Sequence, residues 1–229
     1  MQPHWNDPAE IVRATAAQFN VDRWVRQRER VEVWIEKDAL VGVIEGVCRR
    51  NDVPYFSCRG YTSQSEMWGA AQRIGGYLDD GATSVTLLHL GDHDPSGIDM
   101  TRDIAARLAR FLSGDGYDPA AVVVERIALT LDQVYHYALP PNPAKITDAR
   151  AAAYIARFGS ESWELDALDP PTLVALIEAA IDAHRDDERW AADTARQLVH
   201  RRELAQAARR WDEVVAFLAD GRHDGRDGR

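Results

Sequence analysis

The chain has 229 residues, 45% of them hydrophobic and 28% charged, which fits a soluble globular domain with appendages and excludes a fibrous or low-complexity chain. Its net charge of −10 argues against a protein that coats nucleic acid nonspecifically, because such binding comes from neutralising phosphates. It leaves open nucleic acid held at a local basic patch or through a metal ion, since acidic side chains that hold cations count toward the negative total.

The opening residues Met1 to Asp7 lack a basic start and an apolar core, so no signal peptide is expected. Asp7-Pro8-Ala9-Glu10 opens a helix, with Asp as cap, Pro at the first position and Glu to close the box. Val12, Ala16 and Phe19 share one face of it. Arg23, Arg26, Arg28 and Arg30 follow, with Trp24 among them, as a solvated connector or a phosphate-facing patch.

Residues 31–36 form the first expected strand, and residues 38–50 repeat apolar side chains at a helical period. Residues 53–58 form a second strand. Ser63 and Glu66 make a capping box ahead of a helix with Met67, Ala71, Ile74 and Leu78 inward. Residues 83–90 form a third strand, 95–112 a third helix and 121–129 a fourth strand. Strand and helix therefore alternate three times before a last strand, a pattern that favours parallel pairing with right-handed crossovers.

The second half changes character. Thr130 to Gln133 caps a short helix, and Pro140-Pro141-Asn142-Pro143 breaks the chain. Residues 148–158 read as a helix stopped by Gly159, and Asp169-Pro170 starts another. From about residue 186 to 218 runs a long amphipathic pattern, with room for an interruption. No apolar run approaches about 18 residues, so no membrane span is expected. Cys48 and Cys58 cannot build a disulfide framework; both are expected in the core of a protein kept in a reducing cytoplasm. The expected organisation is an N-terminal helix and basic connector over 1–30, an α/β core over 31–130, a helical C-terminal extension over 131–220 and a disordered tail over 221–229.

The chemistry concentrates at strand ends. Leu87-Leu88-His89-Leu90 runs into Gly91-Asp92-His93-Asp94-Pro95-Ser96-Gly97, and the first strand ends in Glu36-Lys37. Ligands of open α/β sheets bind where strands end at their carboxyl side. Carboxylates there are hard-oxygen donors suited to Mg²⁺. Asp94 before Pro95 is equally well explained as a helix cap. Asp92 and Glu36 are harder to dismiss, because a lone charge at the end of an apolar strand is costly. Lys37, Arg59 and Lys145 are candidate phosphate contacts. Glu164 and Asp166 read as a surface turn, and His89 as a packed strand residue; no His/Cys spacing supports zinc.

A Glu ending the first strand, followed after two strand–helix units by Asp-x-Asp, resembles the Toprim domain of topoisomerases, primases and OLD-family nucleases. Glu36-Lys37 and Gly91 to Gly97 are most similar to the version in the topoisomerase VI A subunit, which also has bacterial and phage relatives. The resemblance covers roughly residues 30–130, with a weaker likeness onward to 182. It implies a Rossmann-like, mostly parallel four-stranded sheet flanked by helices. It implies Glu36 as general acid/base or metal ligand, and Asp92 and Asp94 as ligands of Mg²⁺ or Mn²⁺. Some members carry a third Asp where this chain has Ser96, although Asp99 stands nearby for an outer contact.

The implied activity is metal-dependent cleavage or rejoining of nucleic-acid phosphodiesters, with DNA the expected partner: a nuclease, or a topoisomerase component. Topoisomerases of this kind cut through a tyrosine on a separate DNA-binding domain. Tyr55, Tyr61 and Tyr77 fit core or loop roles better. The expected forms are thus a water-using nuclease, a fragment, or one piece of an assembly whose other domain or subunit supplies the missing parts. Two rival readings are a non-catalytic α/β module that binds nucleic acid or a partner, and a phosphatase with an Asp nucleophile.

Overall fold

The computed structural model describes residues 4–58, 60, 62–144 and 147–220. The loop residue Tyr61, the candidate contacts Arg59 and Lys145, and the tail over 221–229 lie outside the described residues.

The elements run α1 (Pro8–Gln18), β1 (Glu29–Ile35), α2 (Val41–Arg50), β2 (Tyr55–Ser57), α3 (Gln64–Asp79), β3 (Ser84–Leu90), α4 (Pro95–Gly114) and β4 (Val122–Ala128). Then come α5 (Leu131–His136), β5 (Asn142–Pro143), α6 (Ala151–Phe158), β6 (Glu161–Ser162), α7 (Pro170–His184), α8 (Asp187–Arg209) and α9 (Trp211–Asp220). The expected alternation of strand and helix is present. The capping boxes Ser63/Glu66 and Thr130/Gln133 both close. In the first helix, Asp7 caps as expected, but the Glu10 carboxylate accepts from the Asn6 N–H, at 2.8 Å.

Strands β1 to β4 make one all-parallel sheet in the order β2-β1-β3-β4. Parallel sheets are covered on both faces, so their strands read as apolar runs. Both central strands are buried along almost their whole length. Trp34, Val85 and Leu87 face Met67, Ala71 and Ile74 of α3 and Ile104 and Leu108 of α4. The opposite face, with Val33 and Leu88 in register, is covered by α2 and α7, whose Ile44, Val47, Leu173 and Ile177 are buried.

A carboxylate lies inside this core. Glu32, on β1, is 1% exposed. The Arg73 guanidinium donates to both its oxygens, at 2.7 and 2.8 Å, and the Trp34 indole N–H donates at 2.9 Å. A buried carboxylate needs such partners.

The described residues divide into two compact units. Residues 24–186 hold the sheet with α2 to α7. Residues 4–23 and 187–220 hold α1, α8 and α9. In the second unit α1 packs on α8, where the Arg201 guanidinium donates to the Phe19 carbonyl, at 2.7 Å, and to Asn20 Oδ1, at 2.8 Å. The long C-terminal pattern is thus two helices, broken at Arg210. Arg23 lies over the Trp190 ring in one unit, while Arg30 is a buried strand residue over Tyr77 in the other.

Candidate functional site

Parallel pairing places the carboxyl ends of β1 and β3 side by side, which brings Glu36 to Asp92. The Glu36 N–H donates to the Leu90 carbonyl, at 2.9 Å, and the Asp92 N–H donates to Glu36 Oε2, at 3.0 Å. Two glycines permit this approach. A Cβ on Gly91 would stand 2.8 Å from Glu36 Oε2, and a Cβ on Gly97 would overlap the Asp92 carbonyl.

Asp92 Oδ1 accepts from the Leu165 N–H, at 2.7 Å, and lies 3.3 Å from Lys37 Nζ. The same ammonium is 3.0 Å from Glu164 Oε2 and 3.0 Å from Asp166 Oδ1. One cation therefore sits among three carboxylates. Burial pulls the Lys37 ammonium down, but the hydrogen bonds to Asp166 and Glu164 outweigh it and hold its pKa above the ordinary value. Burial, then the charge of Asp92, raises Glu36 above the usual carboxylate range. Burial also raises Asp92, against the Leu165 N–H and Lys37, which lower it.

Asp94 sits at the start of α4. Its Oδ1 accepts from the Gly97 N–H, at 2.7 Å, and from Ser96 Oγ, at 3.0 Å, so it caps α4. Its charge still reaches Glu36. Ser96 thus supports the cap. Asp99 is taken by Arg102 and Arg150, at 2.6 and 2.8 Å.

Glu164 and Asp166 come to the site through a backbone tie. The His93 N–H donates to the Trp163 carbonyl, at 2.8 Å, and the Trp163 N–H returns to the His93 carbonyl, at 3.0 Å. The Tyr154 hydroxyl donates to the His93 carbonyl, at 2.8 Å. Both acids are half exposed, as a surface turn would be, yet they complete the ring around Lys37.

Arg126, on β4, was not among the candidates. Its guanidinium donates to the carbonyls of Gly91 (2.7 Å), Asp92 (2.5 Å), Gly97 (3.0 Å) and Leu129 (3.0 Å), and to Thr101 Oγ1 (2.8 Å). Burial lowers its pKa to about 10, so it stays charged at neutral pH. The one signal in the sequence is Arg126, beside Glu125 in the otherwise apolar run Val122 to Leu129. Burial and this charge push His89 down to about 3 and His93 to about 4, so both rings are neutral near pH 7. His89 is fully buried against Thr101 Oγ1, at 2.9 Å, in keeping with a packed strand residue.

Among the described residues, no three His, Cys, Asp or Glu side chains are grouped so as to hold a metal ion. Comparison with protein-family models, with curated proteins and with solved structures gives no match. No helix among the described residues is long and apolar enough to cross a membrane.

Proposed function

We propose that the carboxyl edge of the sheet performs divalent-cation-dependent cleavage of nucleic-acid phosphodiesters, with DNA the expected substrate. The observation that carries this reading is the hydrogen-bonded pair Glu36 and Asp92, both with raised pKa, beside a cation already held by Asp92, Glu164 and Asp166. The resemblance of Glu36 and of Gly91 to Gly97 to the Toprim motif supports it independently.

The donor chemistry suits Mg²⁺ or Mn²⁺, because every candidate ligand is a carboxylate oxygen, and burial raises the pKa of Glu36 and Asp92. As the described side chains stand, no three acids are grouped for a metal, so Asp92, Glu164 and Asp166 would hold the ion only once Lys37 leaves them; when bound it would polarise the phosphate and stabilise the leaving oxygen. Lys37 swings from the cluster toward solvent and contacts a phosphate oxygen of the substrate. Glu36 keeps a proton closer to neutrality than an ordinary carboxylate. It takes a proton from the attacking water or returns one to the leaving oxygen. Arg126 fixes the loop carbonyls, so Asp92 keeps its aim. Asp94 holds the end of α4 and shapes the field at Glu36.

The ring of acids around Lys37 also favours a second reading, a binding module whose cluster is structural and already neutralised. Supercoiled plasmid incubated with the protein in Mg²⁺ or Mn²⁺ separates the two. Metal-dependent nicking by the wild type, lost in Asp92→Asn, is expected from a nuclease. Absence both of nicking and of phosphate release from small esters by a folded wild type selects the binding module. Release of phosphate from small esters without nicking selects the Asp-nucleophile phosphatase.

A further inference from the structure

The unit of α1, α8 and α9 has little core of its own: among its described residues only Ala16, Asp193 and Ala208 are buried. Helix α9 buries none of its ten residues, and Val215, Phe217 and Leu218 are 49%, 76% and 54% exposed. A helix this short is marginal in water without a packed face. The Arg210 N–H donates to the Gln206 carbonyl, at 3.0 Å, and the Val214 N–H to the Arg210 carbonyl, at 3.1 Å, so helical spacing carries across the break between α8 and α9. Ala207, Val214, Phe217 and Leu218 then line a groove of about 580 Å³, and Leu204 precedes Ala207 by about one turn. Charge divides along the same stretch. Residues 201–210 hold four arginines and one glutamate; residues 211–220 hold three acids and no base. Arg201 is bonded to Phe19 and Asn20, Arg210 to Glu213, and Glu203 to His200. Arg202 and Arg209, like Asp212 and Asp220, are exposed and make no ion pair among the described residues.

We infer that this face pairs with the same face of a second copy of the chain, antiparallel about a two-fold axis near Arg210 and Trp211. A two-fold interface must be complementary to itself. Reversing this stretch about its centre sets Ala207 against Val214, Leu204 against Phe217 and Arg209 against Asp212, with Arg202 one position from Asp220. Each copy supplies both halves, so every pair occurs twice. Smaller apolar residues meet larger ones, and free arginines meet free acids. The three acids of α9 set the face against nucleic acid, whose phosphates they repel, and against an anionic lipid surface, which selects helices with Lys and Arg on the polar face. A helix pair of this length buries less than the about 1,200–2,000 Å² of a stable interface, so the association falls in the micromolar range. The inference does not rest on the cleavage reading.

Sedimentation equilibrium of the full chain, from about 1 to about 200 μM, tests it. The wild type shows a reversible monomer–dimer equilibrium with a Kd of about 10–100 μM. Phe217→Glu, at the most exposed apolar position of α9, weakens it at least about tenfold. Two charge-reversed chains make the test specific to a second copy. One carries Asp212→Arg with Asp220→Arg, the other Arg202→Asp with Arg209→Asp. Each alone sets like charges together and dimerises at least about tenfold more weakly than the wild type. Mixed in equal amounts they restore both sets of opposite charges, and the dimer returns to within about threefold of the wild-type Kd. That recovery also shows both variants to be folded. Three results overturn the inference: a folded wild type that stays monomeric at the highest concentration, a dimer that Phe217→Glu leaves unchanged, or charge-reversed chains that dimerise alone as the wild type does or stay monomeric when mixed.

Discussion

Replacing Arg126 by Met keeps much of the side chain's bulk and removes five hydrogen bonds. The Gly91 carbonyl retains the Leu129 N–H, at 2.8 Å, and the Gly97 carbonyl retains Thr101 Oγ1, at 3.4 Å. The loss falls on the Asp92 and Leu129 carbonyls, which are deprived of the guanidinium donors at 2.5 and 3.0 Å. Each buried carbonyl left without a donor costs about 1–3 kcal/mol, so the pair costs about 2–5 kcal/mol once some water enters. For a chain of this size that lowers the thermal midpoint by about 5–20 °C. Differential scanning calorimetry measures it directly. Arg126→Lys recovers little, because one ammonium cannot reach a fork of carbonyls. A midpoint within about 2 °C of the wild type for Arg126→Met would refute the view that this side chain holds the loop in place.

Arg73→Met strips the buried Glu32 of its bidentate partner. Because Arg73 is 41% exposed, the loss is expected near the low end for a broken buried pair, about 3 kcal/mol in urea unfolding. Gly97→Ala drives a methyl group into the Asp92 carbonyl, so it lowers the thermal midpoint, whereas Gly114→Ala, with open space around it, does not. The raised pKa of Glu36 means that the folded state holds more protons than the unfolded state from the ordinary value of about 4.5 upward. Stability therefore falls as pH rises through the raised value, and Glu36→Gln is stabilised relative to wild type at pH 8 without metal, with the gain vanishing below the ordinary value. Lys37→Met removes the resident ammonium. Calorimetry should show tighter Mn²⁺ binding by about tenfold or more if the cluster is a cation site, and no binding if it is structural.

The parallel sheet was legible because β1 and β3 are buried on both faces and so carry long apolar runs, each running into an acid. The meeting of Glu36 with Asp92 followed from that pairing alone. Asp94 supported two readings from the start, since a cap and a ligand use the same residue type in the same place. Glu164 and Asp166 were read as a turn because what brings them to Lys37 is a non-local tie between His93 and Trp163, which no periodicity records. Arg126 was passed over because a single arginine on a short-patterned strand resembles a solvent-facing alternate; its burial depends on α4 and the loop lying over it. The grouping of α1 with α8 and α9 is likewise a long-range contact with no local signature.

The ammonium at the centre of three acids makes any metal uptake there a trade rather than an addition. An incoming ion inherits the attraction of Asp92, Glu164 and Asp166 only after displacing Lys37, so its apparent affinity is a difference between two occupants. The evicted side chain, on a four-carbon tether, then becomes a mobile positive tip at the rim. Loading the cluster and presenting a charge to an anionic guest are in this way one event.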